Sequence, residues 1–300
     1  MHSSINELAS DNNLAPPGCQ GKRPWLSCEG GIAYNTAVQF VIGSPSEKDE
    51  AIPEGAVTGM ADATAGRKTP RPLYSMFLAV PRTYDLVNHV VTLGQDARWR
   101  RRAARECLRQ EPERVLDLCC GTGDLALTIA GLDRQRREIT GLDYARPMLD
   151  LAVSKAATRG EQVSFVCGEA ASLPFPDGCF DCVGISFAFR NLTYRNPFIS
   201  QYLAEVLRVV APGGRFVIVE SSQPASRPVR AIFRMYLRIF VARAGAWLSG
   251  SKAAYRYLAE SAARFYAPGE INNLLLNAGF RDAAFRQLLF GAAAIHVATK

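Results

Sequence analysis

The segment Asp117-Leu118-Cys119-Cys120-Gly121-Thr122-Gly123-Asp124 decides the fold of this 300-residue chain. It lies between an apolar run at 115–119, typical of a buried strand, and a helical pattern at 125–130. Gly121 and Gly123 let the backbone turn tightly and approach a ligand without a Cβ. Ligands of open α/β sheets bind at such strand-to-helix turns. For a glycine pair alone, an ordinary turn remains the alternative.

Strand and helix patterns alternate on both sides of this turn. Strands are predicted at 115–119, 138–143, 163–167, 180–187 and 215–220 and twice after residue 279, and helices at 84–109, 125–130, 147–158 and 198–210. This order predicts an α/β fold with a doubly wound, mostly parallel seven-stranded sheet covered by helices on both faces. Residues 228–266 have a helical pattern without strands, and we expect them to form a cap on the substrate side.

Residues 1–72 differ from the rest of the chain. They are rich in Gly, Pro, Ser, Asn and Asp and show no sustained period, which predicts a disordered extension before a domain at 73–300. The extension carries six Lys/Arg and eight Asp/Glu, a balance of −2, so the net charge of +7 leaves +9 on the domain. We expect Met60 to be the initiator, with a regulatory or targeting tail as the alternative. No secretory signal or long apolar run is found, which favours the cytoplasm.

The acidic residue Asp143 lies about 20 residues after the glycine turn, at the end of the next predicted strand, where an acid can accept both ribose hydroxyls. NAD is one candidate, but Gly121 to Ala126 fits its fingerprint only loosely, and Asp124 would repel a pyrophosphate at the helix N-terminus. A sulfonium cofactor with an amino group suits these residues better. The sequence therefore favours S-adenosylmethionine. Glu169 follows the strand predicted at 163–167 and Ser186 ends the next one, as cofactor contacts or as part of an ordinary loop or strand end.

Several motifs resemble the ubiquinone/menaquinone biosynthesis C-methyltransferase family of class I methyltransferases, over about residues 79–300. Two of them are similar to the family's signatures, namely Tyr84-Asp85-Leu86-Val87-Asn88 with Trp99, and the segment 208–215 running to Glu220-Ser221-Ser222. The other matching motifs are Leu173-Pro174-Phe175-Pro176-Asp177, Phe180-Asp181-Cys182, Phe189-Arg190-Asn191 and Tyr255-Arg256-Tyr257-Leu258-Ala259-Glu260-Ser261.

The resemblance implies cofactor contacts and a substrate. The implied contacts are Thr122, Asp143, Glu169, Ala170 and Ser186, beside Asp117, Gly121 and Gly123 of the turn. It also implies a polyprenylated quinol, either demethylmenaquinol or a ubiquinol precursor, that is methylated on a ring carbon. Four positions depart from the family pattern: Val87 replaces Met, Asp96 replaces His, Ala211 replaces Lys, and Cys119 replaces Gly or Ala. Asp96 bears most on the substrate, because it is expected near the ring.

Methyl transfer to a ring carbon needs a phenolate, and a nearby cation favours that charged form. Arg190, just past the fourth predicted strand, is the candidate, with Asn191 to orient the ring; a structural salt bridge is the alternative for Arg190. Because arginine is no base at neutral pH, Asp85 and Tyr84 are the candidate proton acceptors. The cysteines and histidines lack zinc-ligand spacing, so no metal is expected.

Basic charge raises the question of partners. Arg230, Arg234 and Arg238 form one stripe of an aromatic-rich helical pattern, which suits an anionic membrane surface or a lid with solvated arginines. The cluster Arg98, Arg100, Arg101, Arg102 and Arg105 is expected to be a solvated helix face. Nucleic acid is not expected, since residues 186–191 lack the Asn/Asp-Pro-Pro-aromatic motif of base methyltransferases and no RNA-binding module is found. A methyltransferase for another small hydrophobic acceptor, or an accessory protein without activity, remains open.

Overall fold

A computed structural model describes residues 33–35, 81–241 and 259–300 of the chain. The strands are β1 (Ala33–Asn35), β2 (Arg114–Leu118), β3 (Glu138–Asp143), β4 (Ser164–Cys167), β5 (Phe180–Ser186), β6 (Val210–Ser221), β7 (Asp282–Leu288) and β8 (Ala293–Thr299). The helices are α1 (Pro81–Val91), α2 (Gln95–Cys107), α3 (Asp124–Leu132), α4 (Arg146–Arg159), α5 (Phe189–Thr193), α6 (Ile199–Val209), α7 (Arg227–Tyr236) and α8 (Pro268–Asn277).

One sheet with the order β1-β4-β3-β2-β5-β6-β8-β7 forms the centre of the fold. Strands β2 to β6 are parallel, whereas β8 runs antiparallel between β6 and β7. The chain proceeds outward from β2 to β4 and then returns to place β5 on the other side of β2. The predicted doubly wound, mostly parallel seven-stranded sheet is therefore confirmed in β2 to β8. Its order reverses beside β2, where ligands of such sheets bind.

Two apolar layers cover the sheet. One contains Leu125 and Ile129 of α3 with Leu149 of α4, and the other contains Leu203 of α6 and Leu275 of α8. Parallel strands buried on both faces give the continuous apolar runs from which the strands were predicted. The layers hold the carboxyl ends of β2, β3, β4 and β5 at one edge of the sheet.

Several predicted boundaries differ from the structure. The helix expected over 84–109 is two helices, because Leu93 and Gly94 adopt left-handed backbone with φ of +53° and +71° between α1 and α2. Helices α5 and α8 were not predicted. Strand β6 begins at Val210, five residues before the expected start. Of the expected cap at 228–266, the structure describes α7, a π-helical turn Leu237–Val241 and a helix at 259–263.

The N-terminal extension contributes one described element. Ala33–Asn35 forms β1 and pairs antiparallel with β4, so these three residues differ from the expected disorder. The remaining part of residues 1–72, including the expected initiator Met60, lies outside the described residues. No helix in the described ranges is long and apolar enough to span a bilayer.

Candidate active site

The turn between β2 and α3 is held in a conformation that glycine favours. Gly121 and Gly123 have φ of +54° and +79°, and Cys119, although it carries a Cβ, has φ of +53°. A Cβ on Gly121 would meet no atom within 4 Å, so this face of the turn is open to a ligand. A Cβ on Gly123 would come to 3.0 Å from that of Ala152, so Gly123 allows α3 to pack closely on α4.

Asp117 connects β2 to the start of α3. Its Oδ2 accepts a 2.9 Å hydrogen bond from the backbone N–H of Ala126, one of the first-turn donors that have no partner within the helix. Its Oδ1 is buried and has no partner among the described residues. Burial raises the pKa of Asp117 to about 8. The carboxyl thus offers one unused oxygen at the turn, which suits a cationic amino group of a ligand.

Asp143, at the end of β3, shapes the same turn. Its two oxygens accept hydrogen bonds from the backbone N–H of Gly121 at 2.8 Å and of Ala145 at 2.9 Å. Burial raises the pKa of Asp143 to about 6, although these backbone donors favour the ionised form. Each carboxylate oxygen has a second lone pair that ribose hydroxyls can use.

These residues open onto a cleft at the carboxyl ends of the strands. Seven of the eight predicted cofactor residues line it: Asp117, Gly121, Thr122, Asp143, Glu169, Ala170 and Ser186. The eighth, Gly123, packs behind it. The Oγ of Ser186 is buried and has no partner in the described chain. Together with Oδ1 of Asp117 it gives the cleft two unused polar atoms, and the residues present therefore fit S-adenosylmethionine. We call this space the cofactor cleft.

Other residues of the cofactor cleft were not selected from the sequence. They are Arg100, Cys119, Cys120, Asp124, Leu125, Tyr144, Met148, Phe187, Ala188, Leu192, Asn196 and Tyr202. Tyr144 directly follows Asp143, and Leu192 follows the Arg190-Asn191 pair. Their positions next to predicted site residues are the sequence feature from which they could have been predicted.

A network of charged side chains, which we call the bridging network, ties α1 to the cofactor turn. The Nζ of Lys155 donates to Asp85 at 2.7 Å, to Asp124 at 2.6 Å and to the hydroxyl of Thr122 at 2.9 Å. The Thr122 hydroxyl itself donates to Asp85 at 2.8 Å. Asp85, proposed from the sequence as a proton acceptor, is therefore held at the cofactor cleft by a cation. The side chain of its partner candidate Tyr84 lies outside the described residues.

Arg100 extends the bridging network. Its guanidinium is 2.8 Å from Asp96 and 3.3 Å from Asp124, and the residue is only 8% exposed. The expected solvated helix face is thus wrong for Arg100, whereas the other four arginines of that cluster are exposed. Burial alone would raise the pKa of Asp96, but Arg100 and the Thr92 hydroxyl hold it below its usual value. The charge of Asp124 is shared between Lys155 and Arg100, so it is not free to repel a ligand phosphate as we assumed.

Arg190, on α5, is buried in an ion pair. Its Nη1 donates to Glu220 at 3.0 Å and to the Ser221 hydroxyl at 2.6 Å, and its backbone N–H also donates to Glu220 at 3.0 Å. Glu220 is fully buried. The structural salt bridge considered from the sequence is therefore present. The Nε of Arg190 remains buried without a partner among the described residues.

A second, mostly apolar cleft lies beside the first, between α1, α7 and the β7–β8 tip. Asp96 and Arg190 line it, whereas Asn191 lines the cofactor cleft. Of the described residues, Phe187 alone lines both clefts. Its backbone is left-handed at φ +56°, its ring centroid is 6.2 Å from that of Trp99, and the Arg100 guanidinium lies 5.4 Å above the ring. Phe187 thus forms the wall between the cofactor cleft and this second space, which we call the apolar cleft.

Within the described ranges, no group of three or more His, Cys, Asp or Glu side chains is arranged to hold a metal ion. The cofactor turn, the acid that ends β3 and the reversed strand order define an S-adenosylmethionine-dependent methyltransferase of the class I fold. The ubiE/COQ5 methyltransferase family model matches residues 66–300. The chain belongs to this family.

Curated relatives agree with the family match. The demethylmenaquinone methyltransferase of Thermus thermophilus is 42% identical over 225 residues, covering 74% of this chain and 98% of the relative. The ubiquinone/menaquinone biosynthesis C-methyltransferase UbiE of Geobacter sulfurreducens is 39% identical over 229 residues, covering 75% of this chain and 87% of the relative. A possible exported protein from Bordetella parapertussis shares the fold, with a TM-score of 0.51, 19% identity and coverage of 69% and 68%.

Proposed function

We propose that this enzyme methylates a ring carbon of a polyprenylated quinol, either demethylmenaquinol or a ubiquinol precursor, in respiratory quinone biosynthesis. The observation that carries the proposal is that the cofactor cleft, with its unused polar atoms on Asp117 and Ser186, meets a mostly apolar cleft at Phe187. A lipid with a polar, reactive head and an apolar tail suits two such spaces. The names of the two relatives described above support the same substrate class.

S-adenosylmethionine supplies an electrophilic methyl group on a sulfonium. Toward that cofactor, we assign Asp117 to the amino group and Asp143 to the ribose, with Gly121, Thr122, Glu169, Ala170 and Ser186 completing the site. The backbone N–H groups of Gly121 and Ala145 already hold the Asp143 carboxylate in one orientation. Ligand binding therefore costs little further side-chain entropy at Asp143. The bridging network holds α1 against the turn.

The acceptor ring needs to lose a hydroxyl proton before its carbon attacks. We assign Arg190 to this oxygen, because the residue lines the apolar cleft and its buried Nε has no partner among the described residues, while Glu220 holds the guanidinium in place. Since Glu220 neutralises much of the arginine charge, hydrogen bonding by Nε carries more of the effect than net charge. We assign Asn191, on the cofactor side, to orient the ring. Asp85 remains the candidate acceptor for the proton, with Asp96 as a second carboxylate bordering the apolar cleft.

The lipid substrate also supports a cytoplasmic enzyme that works at the inner face of the membrane. Quinone profiling by mass spectrometry of cells lacking this protein tests the substrate. Accumulation of a quinone that lacks one ring methyl supports the proposal and distinguishes the menaquinone from the ubiquinone pathway. A normal quinone profile would favour the alternatives, a methyltransferase for another small hydrophobic acceptor or an accessory protein.

A further inference from the structure

Large apolar side chains are exposed around the mouth of the apolar cleft. Leu93, Ile232, Leu289 and Phe290 are 68%, 63%, 50% and 84% exposed, and all four line the cleft. They come from three separate segments: the α1–α2 turn, α7 and the β7–β8 tip. We call these four residues the rim. Single exposed apolar residues need no explanation, but a group around one opening indicates a binding surface.

The backbone of the rim is unusual. Leu93, Leu289 and Phe290 have φ of +53°, +44° and +53°, a conformation that residues with a Cβ rarely adopt. Three of the eight non-glycine residues with positive φ in the described chain are therefore rim residues. An unfavourable conformation that holds a large apolar side chain in water is typical of a functional position.

Exposed basic residues lie on α7 and the turn after it, the segment that carries the rim residue Ile232. Arg227, Arg234 and Arg238 are exposed, and no carboxylate of the described residues forms a salt bridge with them. Arg230 differs, because its guanidinium donates to the carbonyls of Pro224 and Ala225. Of the expected stripe, Arg234 and Arg238 are therefore exposed without a carboxylate partner, whereas Arg230 is engaged by the backbone. The sequence from 221 to 259 contains seven Lys/Arg and no Asp/Glu.

We propose that the rim and the exposed face of α7 dock on the anionic surface of a lipid bilayer. This inference rests on the proposed function, because docking there opens the apolar cleft directly toward a lipid acceptor. An apolar tip flanked by arginines matches acyl chains flanked by anionic headgroups. A symmetric dimer through this face would bring arginines of one copy against those of the other, which disfavours a second copy as the occupant.

Vesicle co-sedimentation of the full chain tests the surface. Wild-type protein should bind phosphatidylcholine–phosphatidylglycerol vesicles at low salt, bind phosphatidylcholine vesicles weakly, and release as salt rises. Arg234→Glu with Arg238→Glu should weaken binding about 25-fold or more, since each basic residue near the surface contributes about fivefold. Phe290→Asn, chosen because Asn tolerates left-handed backbone, should weaken it about tenfold.

Matched controls lie elsewhere on the surface. Arg281, which is 70% exposed at the far end of β7, and Leu276, which is 43% exposed on α8, give Arg281→Glu and Leu276→Gln, and both variants should bind vesicles normally. Equal binding of wild type to neutral and anionic vesicles, or equal loss in the control variants, would overturn the proposal.

A second measurement separates this surface from the reaction. The Arg234→Glu, Arg238→Glu protein should methylate a tailless, water-soluble quinol at the wild-type rate while its turnover of the prenylated quinol in anionic vesicles falls. Loss of both activities in the folded variant would contradict a docking role. Failure of the wild type to methylate either quinol would refute the proposed function, and the vesicle assay would still decide the docking surface.

Discussion

Asp117 should release a proton when the cofactor binds. Its pKa of about 8 means that about nine-tenths of the molecules carry this proton at pH 7. A charged hydrogen bond from the cofactor amino group to the unpartnered Oδ1 is worth about 1.5–3 kcal/mol. At about 1.4 kcal/mol per unit, this lowers the pKa by about one to two units. The protonated fraction at pH 7 then falls to between about one-half and one-tenth, so about 0.4–0.8 proton is released.

Isothermal titration in two buffers of different ionisation enthalpy, both at pH 7, measures that release. In Asp117→Asn the buffer dependence should disappear and S-adenosylmethionine affinity should fall, because an amide N–H replaces the free carboxylate oxygen while the bond from the Ala126 N–H is kept. The free wild-type enzyme should also lose stability as pH rises from about 4 to about 8, since over this range the folded state holds a proton that the unfolded chain releases. A binding enthalpy identical in the two buffers would refute this account of Asp117.

Three further predictions concern the bridging network, the Arg190–Glu220 ion pair and Phe187 between the two clefts. Lys155→Met should weaken S-adenosylmethionine binding about tenfold by titration, because the carboxylates of Asp85 and Asp124 lose their shared cation. Arg190→Met should destabilise the enzyme by about 3–5 kcal/mol in urea unfolding, because it leaves a buried charge on Glu220, and pairing it with Glu220→Gln should restore much of that stability. Phe187→Ala should lower kcat at least tenfold with little change in cofactor affinity, whereas Phe187→Tyr should retain most activity, in steady-state assays.

Each of these predictions has an outcome that contradicts it. Normal cofactor affinity in Lys155→Met would show that the bridging network does not contribute to cofactor binding. Additive stability losses at Arg190 and Glu220 in the double variant would show that the two side chains do not act as a pair. Equal kinetics for Phe187→Ala and wild type would mean that the wall between the clefts does not position the reactants.

The sheet and the cofactor turn were predictable because their signals are local. A buried parallel strand is a short apolar run, and a glycine turn followed by an acid about 20 residues later is read directly from the chain. The break between α1 and α2 could not be predicted, since Gly94 alone does not indicate that Leu93 adopts left-handed backbone. A helical period also could not distinguish buried Arg100 from its exposed neighbours.

The bridging network depends on contacts between distant parts of the chain. Lys155 meets Asp85 across 70 positions of sequence, and Arg190 meets Glu220 across 30. No local pattern marks Lys155, which lies among small residues on α4. The apolar cleft is likewise lined by segments far apart in the chain, so its position beside Phe187 became visible only in the fold.

Product analysis of a single reaction tests the central claim most directly. The purified full chain is incubated with S-adenosylmethionine carrying an isotope-labelled methyl group and with reduced demethylmenaquinol or a demethylated ubiquinol precursor in anionic vesicles. Mass spectrometry and NMR of the extracted quinone then locate the label. The account predicts one labelled methyl on a ring carbon of at least one of the two quinols. Label on a ring oxygen, or no transfer by an enzyme that binds S-adenosylmethionine normally, would contradict it.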